Sequence, residues 1–95
     1  MSVGVCRLKI HIPGSRSLKD KRSVVKSLIA RLRKQFNLSV AEMDDHELWQ
    51  IATIGMACVS NHNNYVDEVI SAAISLIERD FPTIEIVEKE REIYS

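Results

Sequence analysis

The sequence predicts an α+β fold: a four-stranded antiparallel sheet with two helices on one face, in the order βαββαβ. Three observations lead there. Stretches near both ends of the chain alternate in polarity with period two, two further stretches repeat apolar residues at helical spacing, and Pro or Gly breaks separate them. Residues 3–12 put Cys6, Leu8, Ile10 and Ile12 on one face and Arg7, Lys9 and His11 on the other, as a half-buried strand does. Pro13-Gly14 ends it. Ser17 can cap the next segment, Asp20 stands where a carboxylate favours a helix start, and Leu18, Val25, Leu28, Ile29, Leu32 and Phe36 follow at helical spacing, predicting a helix over 18–36. Residues 38–43 and 48–59 read as two strands around the acidic connection Asp44-Asp45-His46-Glu47. The second, LWQIATIGMACV, is apolar on both faces; helices would cover one, and the other suggests a second subunit. Asn63 or Asn64 can cap a second helix with Val66, Val69, Ile70, Ala73, Ile74 and Ile77 on one side, and Pro82 ends it. Residues 83–87 alternate again, and the charged tail EKEREIYS either extends that strand or frays.

This order is the split βαβ pattern of a ferredoxin-like domain, and right-handed crossovers place the first and third strands at the centre. Residues 1–95 form one such domain, because 95 residues are too few for two cores. Composition, 45% hydrophobic and 27% charged with three Gly and two Pro, excludes a disordered tail or a low-complexity linker. No apolar run approaches the ~18 residues that span a bilayer. The alternating N-terminus is unlike a signal peptide, so the expected location is cytoplasmic, with no membrane partner. Cys6 and Cys58 would lie on neighbouring strands, and reduced core thiols are expected.

Charge is distributed unevenly. Residues 1–36 carry ten Lys and Arg against the single acid Asp20, and residues 37–95 carry three against twelve Asp and Glu, so halves of +9 and −9 cancel. Such a split points to an acidic partner, a self-complementary assembly, or two halves that neutralise one another. On the first helix Lys19, Arg22, Lys26 and Arg33 fall within about 60° of one another, in a line of roughly 21 Å at ~1.5 Å per residue. Arg16, Lys19, Lys21 and Arg22 crowd the positive end of the helix dipole, a conflict that a bound anion would relieve. The expected anion or RNA site is therefore Arg16, Ser17, Lys19, Lys21, Arg22, Lys26 and Arg33, with free amides of the 14–17 connection assisting. Few aromatics are available for a base-stacking sheet, and only Trp49 sits well inside a predicted strand. A helix face following the phosphates of structured RNA fits better.

Catalytic patterns are weak. The acidic connection holds metal-ligand types, yet a short hairpin loop points successive side chains apart, so no metal site is assigned. His11 and His62 have no sequence partner for nucleophilic chemistry. The best enzyme analogy is acylphosphatase, which shares the predicted topology and holds phosphate with an Arg after the first strand. Arg16 occupies that region, but the family's glycine-rich signature is missing and no Asn lies within the third strand, Asn61 coming only at its end.

The segments GSRSLKDKRSVVKSL at 14–28, SVAEMDD at 39–45 and LWQIATIGMACVSN at 48–61, with the helix that follows, resemble the bacterial YlxP-like family. Its members are small cytoplasmic proteins without an assigned biochemical activity. The resemblance implies a ferredoxin-like fold and, because the family's genes commonly neighbour translation genes, a tie to translation or ribosome maturation. It supplies no catalytic residues. The expectation is a non-catalytic, cofactor-free protein that binds structured RNA or a ribosomal particle through its basic first helix. The alternative is an interaction or ligand-sensing domain, a homodimer joined around Trp49, Ile51, Ile54 and Met56. An acylphosphatase-like enzyme is the third reading.

Overall fold

The computed structural model describes residues 1–95. It contains β1 (Ser2–His11), α1 (Leu18–Gln35), β2 (Ser39–Asp44), β3 (Ile51–Ser60), α2 (Asn63–Asp80) and β4 (Glu85–Tyr94). The strands lie in the order β2-β3-β1-β4, every neighbouring pair antiparallel, so β1 and β3 are central. Both helices cover one face, and the core beneath them is built from Cys6, Leu8 and Ile10 of β1, Ala52, Ile54, Met56 and Cys58 of β3, and the inward residues of α1 and α2. This is the ferredoxin-like arrangement that the element order predicts.

Several boundaries differ from the sequence reading, each for a local reason. β3 begins at Ile51, not Leu48, because Asp45 adopts a left-handed φ of 67° and the Leu48 amide donates to the Asp45 carbonyl, closing a turn that carries Leu48 and Trp49 away from the ladder. The cap of α2 is His62, not an asparagine: the Asn63 carboxamide is engaged by the Ser2 hydroxyl and so ties the helix start to β1. β4 runs on to Tyr94 because it pairs with β1 along its whole length, from His11 opposite Glu85 to Val3 opposite Tyr94. Its charges lie across from opposite charges, Glu90 from Arg7 and Glu88 from Lys9. Register shifts occur between Lys9 and Ile10 and between Glu42 and Asp44.

The register also decides which side of β3 faces inward. Ala52, Ile54, Met56 and Cys58 are buried against the helices; Ile51, Gly55, Ala57 and Val59 alternate onto the open face, and Thr53, on that same side, is covered and only 1% exposed. Ile54 and Met56 are 0% and 3% exposed, so they belong to the core and not to an oligomer interface. Period-two alternation could not show this, since both sides of the strand are apolar. Cys6 and Cys58 are free and buried; Cys6 pairs with Met56, two positions from Cys58.

Candidate functional site

The first turn of α1 is closed by its own residues. Ser17 Oγ accepts from the Asp20 amide at 3.0 Å, as an N-cap does, and the Asp20 carboxylate accepts the Arg16 amide at 2.9 Å. The Ser15 amide donates to the Ile12 carbonyl. Two amides of the 14–17 connection are thus engaged, and a carboxylate already sits at the positive end of the helix dipole. This corrects the expected anion cradle: Asp20 holds the place assigned to a bound phosphate, and Ser17 acts there as a cap.

Lys21 is a second correction. It is 1% exposed and its ammonium donates to the carbonyls of Asp45 at 2.7 Å, His46 at 3.2 Å and Ile51 at 3.1 Å. Glu42 Oε2 lies 3.3 Å away and supplies the balancing charge, though it accepts no hydrogen bond because the three protons are directed at carbonyls. Lys21 therefore cannot meet an external anion. It pins the β2–β3 connection to α1. The signal was in the spacing: Leu18, Lys21, Val25, Leu28 and Leu32 follow the 3-4-3-4 rhythm of an inward helix stripe, with a lysine in one of its places.

Gln50 pins the same connection from the other side. Its carboxamide nitrogen donates to the carbonyls of Pro13 at 3.1 Å and Ser15 at 3.0 Å and its carboxamide oxygen accepts from His11 Nε2, while its backbone carbonyl takes the Ile12 amide at 2.7 Å. The loop between β2 and β3 and the loop between β1 and α1 are thereby fastened into one unit. Of the carboxylates in the acidic connection, Asp44 pairs with Arg7 and Asp45 accepts from the Thr53 hydroxyl, so neither converges with the other on a shared point.

The remaining cations stand differently. Arg16, Lys19, Arg22 and Lys26 are exposed and form no ion pair. Of the ten basic residues in 1–36, only Arg7, Lys21 and Arg31 have carboxylate partners, in Asp44, Glu42 and Asp80. Arg22, Lys26 and Arg33 line a groove of about 550 Å³ between α1 and the edge strand β2, floored by Val25, Ile29 and Val40. Arg33 is exposed, but one of its amines already donates to the Val40 carbonyl at 2.8 Å. The structure thus brings Arg22, Lys26 and Arg33 to one groove, leaves Arg16 and Lys19 exposed at the opening of the helix and withdraws Lys21.

The open sheet face carries a separate hollow of about 510 Å³, lined by Val5, Ala41, Met43, Gly55, Ala57 and neighbouring charged side chains. Trp49 and Ile51, assigned from sequence to an interface with Ile54 and Met56, do not share a surface with them: Trp49 lies on the connection and is 58% exposed. Arg16 and Asn61, the residues of the phosphatase analogy, stand at opposite ends of the sheet. Arg16 lies beyond the His11 end of β1 and Asn61 beyond the Ser60 that pairs with Ser2. A ten-residue strand of roughly 30 Å separates them, so no shared site forms.

Solved structures establish the fold first. The chain aligns over its whole length with a designed protein described as having a ferredoxin fold (TM-score 0.57, 15% identity, 87% of that chain) and with the designed protein Foldit4 (TM-score 0.56, 9% identity, 98% of that chain). These likenesses establish the fold alone. The sequence itself narrows this further. Residues 3–91 match the model of the family described as protein of unknown function (DUF503), and the chain belongs to that family. It is 30% identical over 83 residues to the uncharacterized protein YlxP of Bacillus subtilis (strain 168), covering 87% of this chain and 89% of that relative.

Proposed function

We propose that this protein is a non-catalytic RNA-binding module of translation or ribosome maturation, in which Arg16, Lys19, Arg22 and Lys26 contact phosphates of a structured RNA. One observation carries the reading: four exposed cations share one helix and the turn before it and none of them forms an ion pair, although Asp20 stands in the same turn, in a molecule whose formal net charge is zero. Internal neutralisation would have paired them, as it pairs Arg31 with Asp80 and Arg91 with Asp67. A row of cations fixed on a helix releases counterions when it meets a phosphate backbone and reads little sequence in doing so.

The test is a salt titration of binding to a structured RNA. Log affinity falls linearly with log salt, and replacing Lys19, Arg22 and Lys26 together by Ala flattens the slope by roughly two to three units. An unchanged slope overturns the reading. Co-sedimentation with ribosomal particles then distinguishes a ribosomal partner from other RNA.

A second reading rests on the open sheet face, where Val3, Val5, Gly55, Ala57 and Val59 form an apolar strip on the two central strands. A second copy of the chain packed face to face would cover it. Sedimentation equilibrium decides the matter, and Val5→Lys dissociates such a dimer.

A further inference from the structure

The helix cations do not stand alone. Trp49, the only tryptophan in the chain, is 58% exposed and its neighbour Leu48 is 48% exposed. On a mobile loop, ordering an exposed aromatic ring on binding costs conformational entropy. This one sits on a fastened loop. Lys21 holds the carbonyls of Asp45, His46 and Ile51 on one side, and Gln50 holds Pro13, Ser15 and Ile12 on the other, so the backbone flanking Trp49 is bonded at both ends. The same bonds set its place relative to the cations. Gln50, the next residue, donates to the carbonyl of Ser15, which precedes Arg16, and Lys21 ties the loop to the opening of α1 from that helix's inward face. An aromatic on a fastened loop thus stands at the end of the molecule where the row of unpaired positive charges begins.

Resting on the RNA reading above, we propose that Trp49 stacks on an unpaired base of the bound RNA while Arg16 and Lys19 hold the adjoining phosphates. The target is then not a continuous duplex but a helix interrupted by a loop or bulge. A base has both properties the patch asks for: an apolar π-face for the indole and a phosphate on either side for the cations. An acidic protein surface would answer the cations but not the ring, and an apolar one would leave the cations unpaired. The open sheet face plays no part, since Trp49 has left the ladder.

The full-length protein tests this directly, because all of its tryptophan emission comes from Trp49. It is titrated with two RNAs of equal length and charge, a hairpin with an unpaired loop and a blunt duplex. The hairpin is expected to quench the emission and bind several-fold more tightly than the duplex. Trp49→Ala lowers hairpin affinity by roughly tenfold, the scale of one stacked base, and leaves duplex affinity unchanged. Trp49→Phe, which keeps a smaller ring, recovers part of the loss. Unaltered thermal unfolding of both variants shows that the loop is intact. If both RNAs bind with a steep salt dependence but neither quenches the emission nor responds to Trp49→Ala, the stacking proposal falls and the phosphate reading stands. If neither RNA binds at low salt, both fall. Emission that responds only to an acidic protein also overturns the proposal.

Discussion

Lys21 and the glycines of the central strands carry the sharpest consequences of single side chains. Lys21→Met removes the ammonium and leaves Glu42 charged and three carbonyls without their donor; breaking such a buried set costs about 3 kcal/mol or more, read as a lowered midpoint in urea unfolding. A loss below about 1 kcal/mol would mean that water replaces the lysine. Gly4 and Gly55 make a paired comparison. A Cβ at Gly4 would lie 2.9 Å from Ile70 Cδ1 and 3.2 Å from Val66 Cβ, inside the packing of α2 on β1. Gly4→Ala therefore costs about 1–3 kcal/mol by overpacking. At Gly55 the added carbon crowds Met43, 2.8 Å from Cγ and 3.2 Å from Sδ, on a long side chain over the open face, and touches the Ala41 carbonyl at an ordinary 3.9 Å. Gly55→Ala costs less than Gly4→Ala in the same denaturation assay, because Met43 swings aside. What the sequence concealed at this scale was the fate of a charge. Lys21 looks like one more member of a basic cluster; its place in the inward stripe marks it for burial, but what it fastens is revealed by its three carbonyl partners, two of them on a loop more than twenty residues away.

Among the elements, α1 was legible nearly to the residue because its signals are local: an N-cap serine, an acid in the first turn and an inward stripe. Ser17→Ala removes the oxygen that accepts the Asp20 amide and is expected to lower stability by about 1 kcal/mol, with the loss confined to the opening turn in hydrogen exchange. β4 was half legible. Its run EKERE has no apolar alternation, and its extended state depends on the ladder supplied by β1, which is remote in sequence. The acidic connection failed for the opposite reason: Leu48 and Trp49 are strand-forming residues that a left-handed Asp45 and a turn hydrogen bond remove from the strand. The candidate surface joins these two cases, since the row on α1 could be read from helical spacing, and the ring beside it only from contacts between loops.

For the molecule as a whole, both thiols lie beneath the helices, and burial pushes each above its ordinary pKa of 9.0, with Arg91 and Lys89 partly opposing the shift at Cys6. An elevated pKa in the folded state means that the unfolded chain gives up these protons first. The associated stability is complete below about pH 9 and declines as pH rises beyond it, so the double variant Cys6→Ala and Cys58→Ala shows a shallower loss between about pH 8 and pH 10 than the parent. In the native protein the same burial makes both sulfurs slow to alkylate until denaturant opens the core. One last consequence concerns the two rims of the sheet. At β2 the Arg33 guanidinium occupies the Val40 carbonyl, and the strand is kinked between Glu42 and Asp44; at β4 the rim bears Glu88, Lys89, Glu90, Arg91 and Glu92 in succession. A molecule arriving edge-on finds one border blocked and kinked and the other wrapped in hydrated charge, so concentrated solutions of this chain should resist fibril growth.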